Sequence, residues 1–156
     1  RRSRVNANSF VRRTCPMRWL EFHDSELVSV VHDDESATLL LRGYVHRWEL
    51  EATGWTGTGW SQQVHVTVRA ATVQITVPPA CEQRPDIWDG TLRCSSVSRK
   101  NLIPLPFDAD GDIFLSLDLV DGRTVKVNGT GVHVEPHGEA ILIEGLDDEL
   151  RPPDAV

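Results

Sequence analysis

The sequence predicts an all-β protein: one domain, an antiparallel β-sandwich or barrel of about eight or nine strands with little helix. Three observations predict it. Apolar residues recur with period 2, as where Val64, Val66 and Val68 alternate with His65, Thr67 and Arg69, and helical spacing is nearly absent. Turn signals such as Pro78-Pro79, Asp121-Gly122 and Asn128-Gly129 punctuate the chain at short intervals. No segment reads as a crossover helix, which excludes parallel βαβ units and leaves antiparallel architectures. A length of 156 residues is enough to bury a core of its own.

The elements follow in order. Leu27–Val31 is a short β-branched run that ends at the polar turn His32–Ser36. Thr38–Glu49 reads as a long strand, with Leu39, Leu41 and Val45 on one face and Leu40, Tyr44, His46 and Trp48 on the other. Gly43 interrupts it and suggests a bulge or a close backbone approach. Glu51–Gln62 reads as a Gly/Thr/Trp loop. After Val68 the apolar phase slips to Val73, Ile75 and Val77, which predicts a β-bulge at Arg69–Ala71. That slip resembles a strand bending between two sheets, so the sandwich is preferred to the barrel. Residues 80–107 read as irregular, with a short strand at Gly90–Cys94 and a Pro-containing edge at Leu102–Phe107. Ile113–Leu119 alternates cleanly into the Asp121-Gly122 hairpin, and Val125 and Val127 return. Asn128-Gly129 is a turn or bulge, Val132 and Val134 continue, Pro136-His137-Gly138 turns the chain and Ala140–Glu144 is the last strand. Leu146–Leu150 suits one helical turn, before a tail at Arg151–Val156.

Charge divides the chain. Residues 1–16 hold five arginines and no acid, while 17–156 carry 11 basic against 23 acidic side chains, a net of −12. We expect 1–16 to be a disordered basic segment outside the native protein, with Met17 the natural start; the alternative is a basic arm or targeting segment. The domain is then 17–150, with 151–156 a tail. So acidic a domain repels phosphate, and only Arg99-Lys100 forms a local basic pair, so no nucleic-acid partner is expected. No apolar run approaches the ~18 residues of a membrane span, so no membrane partner is expected. Absence of a secretory signal points to the cytoplasm and to reduced thiols at Cys81 and Cys94.

Several residues are candidates for chemistry. Asp108, Asp110 and Asp112 alternate around Gly111, a spacing that suits an oxygen-ligated calcium ion in a loop. Ile113 and Leu119 stand where an EF-hand wants Gly and Glu, and turn formation explains the aspartates equally well. His46 and His65 converge on one site only if their strands pair in register, and His133 and His137 are separated by Pro136. Asp24 and Ser25 read as turn or capping residues. Trp55 and Trp60 sit in the Gly-rich loop, either as a binding platform or as a plug over one end of the fold; Trp48 is core or rim, and Trp88 is a further candidate for stacking.

No catalytic constellation emerges, and the resulting expectation is a non-catalytic protein-interaction module. Its partner is expected to be a protein, with a basic one favoured by the acidic field, bound around Trp55, Trp60, Trp48, His46 and His65. No cofactor is required. One alternative is a carbohydrate-binding module with Trp55, Trp60 and Trp88 on the sugar and a structural calcium at Asp108, Asp110 and Asp112. The other is a metal-dependent enzyme with His46 and His65 in a barrel mouth. Oligomeric state is not legible.

Overall fold

The computed structural model describes residues 16–152. The basic segment, apart from Pro16, and the last four residues of the tail lie outside the described residues. Nine strands form: β1 (Met17–His32), β2 (Ser36–Glu51), β3 (Gly54–Arg69), β4 (Thr72–Thr76), β5 (Ile87–Cys94), β6 (Val97–Lys100), β7 (Leu102–Leu105), β8 (Phe107–Leu119) and β9 (Thr124–Leu146). A single 3-10 turn at Asp148–Leu150 follows, at the place expected for a helical turn. Among the described residues no helix is long and apolar enough to cross a membrane.

All nine strands belong to one antiparallel sheet, ordered β6-β5-β8-β9-β3-β2-β1-β7, with β4 paired to β9 beside the end of β3. The hydrogen-bonded path is open, but the sheet curls until its ends meet. Phe22 N–H donates to Asn101 O and Leu27 N–H to Pro85 O, each at 2.8 Å, and Glu26 bridges Asp86. Gly90 permits the closest approach, since a β-carbon there would lie 2.6 Å from Phe22 Cγ.

The curl encloses one apolar face. Leu20, Leu39, Leu41, Val64, Val66, Leu115, Leu117, Val127 and Val132 are fully sequestered in a continuous core. The assignment of Leu39, Leu41 and Val45 to one face of β2 and Tyr44, His46 and Trp48 to the other is borne out. Turns at His32–Ser36 and Asp121-Gly122 form as expected. Gly122 has φ +89°, and Asp121 ties the hairpin to the preceding segment by accepting from the amides of Arg84 and Arg123 at 2.8 and 2.9 Å.

Four local expectations are corrected. Glu51–Gln62 is no loop: a tight turn at Ala52-Thr53 leads straight into β3, because alternate Thr residues fit a pleated surface and Gly57 and Gly59 face rings of the adjoining strand. Residues 80–107 are less irregular than expected: β5 covers the expected strand at Gly90–Cys94, β7 lies in the expected edge at Leu102–Phe107, and β6 is an additional strand. Asp108–Asp112 lies within β8, and Pro136-His137-Gly138 lies within β9 at a bulge where residues 138–140 oppose only Gln62.

The phase slip after Val68 takes a different form from the expected bulge. Val68 opposes Val132 and Val73 opposes Val127 in one continuous register, so nothing is inserted against β9. Ala70 turns the chain at φ +50°, and β9 slips with it, its inward positions changing from 125 and 127 to 132 and 134. The extra residue sits instead on β8, at Gly111 with φ +93°. The kink needs Gly129, where a β-carbon would overlap the Arg69 carbonyl oxygen and a Val68 methyl. Gly129→Ala is therefore expected to destabilise the protein by about 1–3 kcal/mol through overpacking. Urea unfolding reads this as a lower midpoint at unchanged slope, and an unchanged midpoint would contradict the close approach.

Candidate functional site

Opposed residues of an antiparallel pair project to the same face. On the outer face, Trp19 of β1, His46 of β2 and Gly59 of β3 form one row, and Glu21, Tyr44 and Ser61 form the next. Gly57 opposes Trp48 beyond them. The glycines make room: a β-carbon at Gly57 would overlap the Trp48 ring, and one at Gly59 the Tyr44 ring. Rings lie across β3 instead of standing off it. Trp19 and Trp48 are buried but outside the main core, and the segment from Leu146 to Arg151 returns to this corner. The Arg151 guanidinium stacks 5.0 Å from the centre of the Trp55 ring.

Between that returning segment and the sheet lies a recess of about 280 Å³, lined by Glu21, Asp24, Tyr44, His46, Leu102, Glu144, Leu146 and Leu150. Glu21 and His46 meet at 2.6 Å, with the His46 side chain only 5% exposed. Asn101 Nδ2 donates to the second Glu21 oxygen at 3.3 Å. Tyr44 Oη donates to Glu144 Oε1 at 2.5 Å. Burial raises the Tyr44 phenol well above its ordinary pKa, the bond to Glu144 adds to this, and the charges of Glu144, Glu21 and Asp24 push the same way. Three carboxylates, of Glu21, Asp24 and Glu144, line the recess, and none of its lining residues is a lysine or arginine. His46 Nδ1 is buried without a hydrogen-bond partner among the described residues.

Asp24 reaches the recess through a distortion of β1, where residues 22–25 oppose only Gly43. Asp24 has φ +73°, and Ser25 is buried with its hydroxyl donating to Glu21 O and accepting from Tyr44 N–H. Both are turn-type residues holding an irregular backbone, as their sequence suggested.

The predicted site residues are scattered. His46 and Trp48 line or underlie the recess. His65 is on a strand paired with that of His46, yet it opposes Leu40, six positions along β2, so the two histidines do not converge. Trp55 and Trp60 occupy opposite faces of β3 and share no platform; Trp60 packs beside Arg47, 6.0 Å away, and donates from Nε1 to Thr58. Trp88 is 64% exposed and meets only the edge of His23 among the described aromatic pairs. Asp108 and Asp110 turn toward Arg69, Asp110 at 2.5 Å, and Asp112 lines a separate hollow with Arg93 and Ser95. Among the described residues no group of three or more His, Cys, Asp or Glu is arranged to hold a metal ion. Cys81 and Cys94 are free thiols.

Glu21, Tyr44 and Glu144 were not singled out by the sequence reading. One signal for part of this site is present: aromatic rings alternating at 44, 46 and 48, then glycines alternating at 57 and 59 across a short turn. That pattern places rings over glycines. Glu144 carries no such signal, because its approach depends on the bulges of β9.

His133 and His137, separated in sequence by Pro136, both contact Glu135, at 2.8 and 2.7 Å. The His133 hydrogen bond is the main cause holding that carboxyl below its usual range. His65 stacks on His137 with ring centres 4.0 Å apart. Comparison with protein-family models, curated proteins and solved structures finds no match for this chain.

Burial, and next the neighbouring His137, lower the His65 pKa from its ordinary value of 6.5. The unfolded chain takes up this proton more readily, so stability from this group is complete above 6.5 and falls as pH drops through the folded value. His65→Gln is expected to lose less melting temperature than the parent between about pH 7 and about pH 5. Parallel pH profiles for the two proteins would contradict the assignment.

Proposed function

We propose that this protein is a non-catalytic protein-interaction module whose recess accepts the lysine or arginine side chain of a basic partner segment. One observation carries the reading: Glu21, Asp24 and Glu144 converge on a recess with Leu102, Leu146 and Leu150 at its walls and neither lysine nor arginine in its lining. A long basic side chain matches both parts, its methylenes against the leucines and its charged head among the carboxylates. Tyr44 offers a ring face beside the same charges. The net charge of −7 steers a basic segment toward the domain before contact.

Titration calorimetry with a short arginine-containing peptide tests this. Binding that weakens with added salt is expected. Asp24→Asn and Glu144→Gln together should weaken it at least about tenfold, a loss of about 1.4 kcal/mol. The reading fails if the peptide does not bind, or if the double variant binds as tightly as the parent while keeping the parent's melting temperature.

A further inference from the structure

Among the described residues, β4, β6 and β7 pair on one side only along their whole length. Unpaired edges invite other chains, and proteins commonly blunt them with charge or proline. β7 carries Pro104, and β6 carries Arg99 and Lys100. β4 has neither. Thr72-Val-Gln-Ile-Thr76 is uncharged, rich in β-branched residues and held on one side only, by β9. Val77 continues its character until Pro78-Pro79. Gln74, Ile75 and Thr76 are all exposed, with Ile75 at 48%.

We infer that β4 is a self-pairing edge, through which two copies of this chain join antiparallel about a two-fold axis at Gln74. The sequence is self-complementary in that register. Thr72 opposes Thr76, Val73 opposes Ile75 and Gln74 opposes its own copy, so each pair matches like with like. Threonine pairs and β-branched pairs are favourable across antiparallel strands, and no like charges meet. The register holds whichever residues turn their free amides outward, since hydrogen-bonded and non-hydrogen-bonded pairs alternate along it. An isologous contact of this kind closes on itself and stops at a dimer.

A five-residue strand buries little area, so the dimer is weak and concentration-dependent. Two copies of net charge −7 repel, so added salt strengthens the pairing, opposite to its effect on a basic partner in the recess. The contact lies apart from the recess and does not depend on that reading.

Analytical ultracentrifugation of the full chain, across about a hundredfold range of concentration at low and high salt, reads the association. A monomer–dimer equilibrium that tightens with salt is expected. Gln74→Lys should abolish it by setting two ammonium groups across the axis, with the melting temperature kept because the site is exposed. Register is tested in a chain whose three native cysteines are changed to Ser. Gln74→Cys should then cross-link to its copy under mild oxidation, whereas Ile75→Cys, opposed by Val73, should not. A monomer at every concentration, a Gln74→Lys protein that dimerises like the parent, or cross-linking through position 75 rather than 74 would overturn the proposal.

Discussion

A lone sheet with one apolar face has to roll that face onto itself, because no second layer covers it. This requirement governs the described part of the molecule. The inward row of valines and leucines is buried only because the two ends of the strand path meet, through the Phe22–Asn101 and Leu27–Pro85 hydrogen bonds. Gly90, opposite the Phe22 ring, lets the ends approach. The curl also creates a surplus. β2 and β3 are sixteen residues each, longer than the enclosed core needs, so their hairpin end overhangs it. There the outer face carries Trp48, the segment from Leu146 to Arg151 returns to it, and the recess lies between that segment and the sheet.

Strand irregularities place the functional groups. In a regular ladder Asp24 would project along β1 and Glu144 would be out of reach of Tyr44. The four-residue distortion at 22–25 turns Asp24 toward the recess, and the two bulges of β9 bring Glu144 opposite Gly59, beside the Tyr44 phenol. Flat rings over Gly57 and Gly59 lower the floor enough to leave a cavity. Bulges re-aim side chains in this way at functional sites of β-proteins.

Alternation made the fold class legible, and it fixed the faces of β2 correctly, from Leu39 to Trp48. Two features of the sequence misled. Gly and Thr around Trp55 and Trp60 read as loop, because a glycine's role as a seat for a ring is invisible until the opposing strand is known. Pro136 and Gly138 read as a turn, though a bulge tolerates both and lets the strand continue. The phase slip after Val68 was seen, but its partners at Gly129 and Gly111 lie on other strands, so one strand alone could not tell a bulge from a shared kink. The recess was half legible for the same reason. His46 and Trp48 belong to a local pattern, whereas Tyr44 and Glu144 meet across 100 residues of chain.

The recess also makes sense as a departure from what stability alone would favour. Burying the Glu21–His46 pair costs desolvation that two apolar side chains of similar volume would avoid. Three acids surround one small cavity, and burial first, then the Glu144 hydrogen bond and the charges of all three, raise the Tyr44 phenol. Nothing in the main core requires these charges, since the residues behind them, Leu20 and Val45, are already sealed. Filling the hollow with leucines would extend the cluster begun by Leu102, Leu146 and Leu150. The proposed cationic ligand would account for this partly open hollow, because its charge would stand among the Glu21, Asp24 and Glu144 carboxylates, where packing alone calls for apolar side chains.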